Sequence, residues 1–222
     1  MPATVTLRRL TELGLLFGVL PWWWSGGPVR AYGIWPPIIL GFLGCLVYLL
    51  CDRGFDRSRL WNMAGARRGI RLILARFALG AALLTLATYL FERELFFAFP
   101  RQNPAVWAMV MCFYPVLSVY PQEVIFRAFF VQRYGDALRR LGGNTALVIV
   151  AAAAFGWAHV IFGTALAVIL SGVGGVLFTQ TYLRTKSTAA ASLEHALFGD
   201  LLFTVGLGWY FYSGSIGATA AG

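Results

Sequence analysis

The sequence predicts an all-α protein, a polytopic membrane helix bundle of about 7–8 transmembrane helices. Three observations predict it. Of 222 residues, 59% are hydrophobic and only 12% charged, where a soluble domain carries about 25% charged residues. Several apolar runs reach or approach the roughly 18 to 20 residues that carry a helix across a bilayer. The basic residues gather in short gaps between those runs, the distribution of cytoplasmic loops. Those gaps account for the net charge of +9, so no nucleic-acid partner is expected.

The expected spans are 10–24, 32–51, 72–91, 105–120, 122–138, 144–161, 164–183 and 188–212. The first follows Arg8 and Arg9, lacks a small-residue cleavage site and ends in Trp22, Trp23 and Trp24. An uncleaved helix closing in an interfacial aromatic belt is expected there. Pro115 and Pro121 each remove a backbone donor, which predicts a break just before Gln122 between the fourth and fifth spans. Ser171, Gly174 and Gly175 are small residues on one helix that let backbones approach closely. Gly206 and Gly208 before "WYFY" predict a bend and an outer aromatic belt. Cys45, Cys51 and Cys112 have no metal-ligand spacing and are expected to be buried reduced thiols. With no internal repeat and no long linker, residues 1–222 read as a single integral membrane domain with a motif-bearing core at about 105–212.

Orientation follows from arginine and lysine. The gap 52–71 holds Arg53, Arg57, Arg59, Arg67, Arg68 and Arg71; 133–140 holds Arg133, Arg139 and Arg140; 184–186 holds Arg184 and Lys186. Placed together on the cytoplasmic side, these gaps put the N-terminus inside and the C-terminus outside. The opposite gaps, 25–31 and 160–164, hold Arg30 alone. The gap 92–104 is mixed and decides nothing.

Chemistry is confined to few residues. Both histidines, His159 and His195, lie within apolar runs, as do Glu123 and Arg127 in "PQEVIFRAFF". Ionisable groups at membrane depth face a bundle interior or water and mark functional sites, although a single His can also serve as a helix–helix contact. Glu123 precedes Leu141 by 18 residues and His159 follows it by 18. In an antiparallel hairpin the two reach one depth, about 27 Å from the turn at 1.5 Å per residue. His195 stands about 13 Å beyond Lys186. A carboxylate and two imidazoles admit two accounts. One is water activated by Glu123 and His159, with His195 stabilising an oxyanion. The other is a zinc ligand set. Arg127, one turn after Glu123, shares its face and is expected to hold it ionised. Glu194 points another way and is expected to meet a polar lumen or a neighbouring helix.

At these residues the chain resembles the CAAX-processing and bacteriocin-processing family of intramembrane endopeptidases (CPBP, also called Abi). The family motifs are EExxxR, FxxxH and HxxxN or HxxxD. Here they read "QEVIFR" (122–127), "FGWAH" from Phe155 to His159, and "HALFGD" from His195 to Asp200. The resemblance implies about eight helices and peptide-bond hydrolysis in a membrane-embedded cavity without a metal. It also implies Glu and the first His as water activators, with the second His and Asn at the oxyanion. Two positions depart. Gln122 replaces the first Glu and cannot act as a base, so Glu123 is expected to carry the essential carboxylate. Gly199 stands where Asn or Asp belongs, with Asp200 one residue later as a candidate support for His195.

The expected function is therefore an intramembrane endopeptidase acting on a membrane-anchored peptide or protein tail, in a bacterial inner (plasma) membrane. Glu123, His159 and His195 are the expected catalytic residues, supported by Arg127, Gln122, Asp200 and Phe155, and no cofactor is expected. The alternative is a catalytically inactive member that binds or escorts a membrane peptide. A transporter would need polar residues across the whole membrane, and the outer halves of these helices are apolar.

Overall fold

The computed structural model describes residues 3–26 and 32–211, and every regular element among them is helical. Helix α1 runs as Ala3–Leu13 through a π-type turn, Gly14–Val19, into Leu20–Gly26. Arg30 and most of the expected outer gap 25–31 lie outside the described residues. Helix α2 is Trp35–Cys51, and a 3-10 turn, Arg57–Leu60, leads to α3, Met63–Phe91. A short helix α4, Ala98–Gln102, occupies the mixed gap 92–104.

Helix α5 is one continuous path over 104–141, which corrects the expected break before Gln122. Pro104–Tyr114 passes through a π-type turn at Pro115–Val119, then Tyr120–Glu123, then a second π-type turn at Val124–Phe129, into Phe130–Ala158. Both prolines sit where the hydrogen-bond ladder is already shifting to the wider i→i−5 pairing. Their missing N–H groups therefore end no helix.

The real break comes at Gly142 and Gly143. Gly143 adopts φ 65, ψ −157, a region open essentially to glycine alone. The chain folds back there, and α6 (144–158) returns along α5, so that Phe126 and Phe155 meet with ring centroids 5.1 Å apart. This is the hairpin predicted around Leu141. A 3-10 turn, His159–Phe162, leads to α7, Ala165–Thr185, and α8, Thr188–Val205. Their N-termini are capped by Thr164 and Ser187, which accept from the backbone N–H of Ala167 and Ala190; Asn62 does the same for α3.

Close packing follows from small residues. A Cβ on Gly175 would lie 2.8 Å from Ala152 Cα, and one on Gly156 would lie 2.8 Å from the Val168 carbonyl. Hence α6 and α7 pack nearly backbone to backbone. The core gathers on the α5–α6 hairpin, with Phe17, Leu49, Phe130, Phe155, Phe178 and Tyr182 buried. Outward, Leu72, Leu74, Leu86 and Leu90 of α3 are exposed, a surface suited to lipid rather than water.

By length and hydropathy three helical runs among the described residues can cross a membrane: Arg57–Phe91, Pro104–Phe162 and Ala165–Thr185; Trp35–Cys51 is apolar but shorter. The second is the folded α5–α6 pair. The last expected span, 188–212, stops at Val205. Gly206 at φ 116 turns the chain into a 3-10 segment, Leu207–Phe211. Phe211 does not join an outer belt but folds against His159, ring centroids 6.0 Å apart; Tyr212 lies outside the described residues. The three thiols are free, but Cys51 and Cys112 are exposed rather than buried, because those helix faces carry no protein neighbour.

Candidate active site

The α5 ladder sets the direction of two adjacent side chains. Successive residues on a helix diverge by about 100°, so Gln122 and Glu123 face different surroundings. Gln122 lines a cavity of about 1100 Å³ enclosed by α1, α2, α3 and the α5–α8 helices. Its Nε2 donates to Ser118 Oγ at 2.8 Å. Glu123 is not on the cavity wall and has no exposed surface.

What Glu123 touches is His195 and Arg127. His195 Nδ1 lies 3.0 Å from Glu123 Oε1, and Arg127 Nε lies 3.2 Å from Oε2. The second contact is an ion pair out of line for a hydrogen bond, since Oε2 and Nε each lack an aligned partner. Arg127 is also fully buried. Its guanidinium carbon stands 4.6 Å from the Phe155 ring centroid and 5.6 Å from that of Phe178. Two π faces thus replace part of the hydration that burial removes.

His195 is held on four sides. Phe178 stacks on it at 4.7 Å and 15°, and Phe155 meets it edge-on at 5.4 Å. Nδ1 faces Glu123, and the Tyr114 hydroxyl lies 3.2 Å from Nε2. A carboxylate beside Arg127 accepts and does not donate, so it fixes the proton on Nδ1 and leaves the Nε2 lone pair to accept from Tyr114. With both ring nitrogens occupied, Asp200 is not the support of His195. Asp200 Oδ1 is buried without a hydrogen-bond partner.

His159 lines the same cavity as His195. Its Nδ1 donates to the Phe155 carbonyl at 2.8 Å, which leaves Nε2 as the acceptor in the neutral ring. Phe155 touches both imidazoles, 4.8 Å from His159 and 5.4 Å from His195. Glu123 and His195 are thus brought into contact, whereas the expected Glu123–His159 partnership is replaced by Glu123–His195.

Residues 101–199 match the family model described as type II CAAX prenyl endopeptidase, Rce1-like. No curated protein and no solved structure matches the chain. The chain carries an Rce1-like domain, consistent with the CPBP family. That family is one of CAAX endopeptidases, and with its long apolar helices the protein is an integral membrane protein.

The matched residues contain the first two motifs whole and the third from His195 as far as Gly199, one residue short of Asp200. The Glu123 oxygens face nitrogens of His195 and Arg127, and His159 Nδ1 donates to the Phe155 carbonyl. No group of three His, Cys, Asp or Glu among the described residues is arranged to hold an ion. Sequence reasoning missed three polar residues on the cavity wall: Arg76, Tyr114 and Ser118. Arg76 carried a signal, a charge inside an otherwise apolar run. It donates to Gln180 Oε1 at 2.6 Å and pairs with Glu194 at 3.5 Å, the neighbouring-helix one of the two contacts expected of Glu194. Ser118 precedes Gln122 by one helical turn. Tyr114 gave no signal, because an aromatic in an apolar span reads as packing.

Proposed function

We propose that the protein is an intramembrane endopeptidase that hydrolyses a peptide bond in a membrane-associated protein or peptide tail, with water activated by the Glu123–His195 pair. The observation that carries this reading is the 3.0 Å contact of His195 Nδ1 with the buried Glu123 carboxylate, set against an apolar cavity large enough for a peptide segment. A carboxylate accepting from Nδ1–H fixes the ring and its tautomer and leaves the Nε2 lone pair to take a proton. Water in the cavity gives its proton to Nε2 as its oxygen attacks the scissile carbonyl carbon. Collapse of the tetrahedral intermediate breaks the C–N bond, and the same proton passes to the leaving amine. Glu123 acts through His195 rather than on water directly, because it has no exposed surface. His159, with Nδ1–H held by Phe155, offers Nε2 to orient the water. Arg127 pairs with Glu123 and holds the carboxylate in place, and no metal enters.

The helices are proposed to cross the membrane about seven or eight times with the N-terminus in the cytoplasm, the membrane being a bacterial inner membrane. The hydrolytic reading is tested in proteoliposomes with an internally quenched peptide library on a lipid anchor. Replacing the carboxylate that orients a histidine base costs on the order of 10⁴ in kcat, so Glu123→Gln abolishes detectable cleavage while Gln122→Ala keeps a measurable fraction. A strong chelator leaves the rate unchanged. Full activity in Glu123→Gln, or chelator inhibition reversed by zinc, sinks the mechanism.

A further inference from the structure

The third motif lacks its Asn at Gly199, and the structure offers a replacement from another helix. A Cβ built on Gly199 would lie 2.4 Å from the Tyr114 hydroxyl oxygen and 2.4 Å from its Cε1. No Cβ tolerates such a contact while Tyr114 stays in place, so glycine at 199 and tyrosine at 114 are one arrangement. The volume that a side chain at 199 would fill is occupied by a phenol arriving from α5. That phenol is fixed: its ring meets Phe203 edge-on at 5.3 Å, and its hydroxyl sits 3.2 Å from His195 Nε2. Tyr114, His195, Gly199 and Gln122 all line the one cavity.

The geometry points to Tyr114 as a further catalytic residue, the donor that stabilises the oxyanion in place of the missing Asn. This rests on the hydrolytic reading above. In the resting protein the Tyr114 O–H donates to His195 Nε2. When water takes that position and His195 receives its proton, Nε2 becomes a donor and no longer accepts from the phenol. The Tyr114 O–H is then released to the carbonyl oxygen as that oxygen gains negative charge. Its role is thus strongest in the transition state, which is where stabilisation raises kcat. A phenol suits this role because it donates without carrying charge, whereas an ionised Asp200 only accepts.

The test uses the same proteoliposomes and lipid-anchored quenched peptides. Loss of one oxyanion donor costs on the order of 10² to 10³ in kcat. Tyr114→Phe, which keeps the ring, is expected to lose that much in kcat with KM changed less than about twofold. Its kcat–pH profile should fall uniformly without a shift along the pH axis, because in the substrate complex water has replaced Tyr114 on His195 Nε2. Tyr114→Ala vacates the space, and adding Gly199→Asn should recover at least about tenfold over Tyr114→Ala alone; Gly199→Ala in that background should not. In the wild-type background Gly199→Asn should be severely impaired by the clash with Tyr114.

If Tyr114→Phe retains wild-type kcat while Glu123→Gln is dead, hydrolysis stands and the donor assignment falls. A displaced pH profile in Tyr114→Phe overturns it too, by showing that Tyr114 only positions His195. If the unaltered protein cleaves none of the peptides, the hydrolytic reading fails and takes this one with it.

Discussion

Glu123 and Arg127 are fully buried one helical turn apart, and the energetics of that pair bear on everything around it. Two charges taken out of water attract strongly but pay a desolvation cost of several kcal/mol each. Breaking such a pair from one side therefore does more harm than removing both members. Arg127→Met leaves the Glu123 carboxylate with His195 as its one remaining polar contact, and should destabilise the protein by about 3–5 kcal/mol. Combining it with Glu123→Leu should recover most of that loss, although both variants are inactive. Unfolding in mixed detergent micelles measures each. Equal stability of wild type and Arg127→Met would show that the ion pair is not what keeps the charge there. The same residues show why adjacent positions in a motif are not interchangeable. Sequence alone named Glu123 as the acid by elimination, since it is the only carboxylate in its stretch. Which of Gln122 and Glu123 faces the cavity was not readable, since π-type turns before and after the pair reset the rotation of the helix.

At the scale of the element, the α5–α6 hairpin creates the site, and Gly143 creates the hairpin. The equal 18-residue arms about Leu141 were readable because helical rise is uniform enough to convert residue number into depth. Phe126 against Phe155 bears this out. The expected break at Pro121 was misread because a proline's cost depends on the ladder it interrupts, and a π-type turn had already opened that ladder. No atom lies within 4 Å of a Cβ on Gly143, so any penalty for a side chain there is conformational and not steric. Gly143→Val should destabilise by about 1–3 kcal/mol. It should also lower kcat more than KM, because shifting α6 moves Phe155 and His159 relative to His195. Gly142→Ala, at φ −171, is the control and should cost less. If calorimetry ranks the two substitutions the other way, the left-handed geometry at Gly143 is not what holds the turn.

At the scale of the whole molecule, the three basic gaps meet at one end of the bundle. Asn62 Nδ2 donates to the Thr185 carbonyl at 3.2 Å, which ties the 52–71 gap to the 184–186 turn. Gln132 Nε2 donates to Asp52 Oδ2 at 2.8 Å, which brings in the end of the hairpin. Burial, with Arg59 and Arg139 close by, holds the Lys186 ammonium below its ordinary range. Clustered cations repel one another, and the arrangement gains stability where they lie against anionic lipid headgroups. That end is therefore expected to be the cytoplasmic one. The opposite end is marked by Ala165, the first residue of α7, whose 21 residues span about 30 Å. Positions 57 and 165 accordingly serve as opposed reporters, both exposed. With Cys45, Cys51 and Cys112 replaced by Ala, Arg57→Cys should resist a membrane-impermeant maleimide in intact cells and react in inverted vesicles. Ala165→Cys should do the reverse. Labelling of position 57 in intact cells would turn the protein over in the membrane. It would also place the polar end of the hairpin, and any soluble substrate approaching from it, on the outer face.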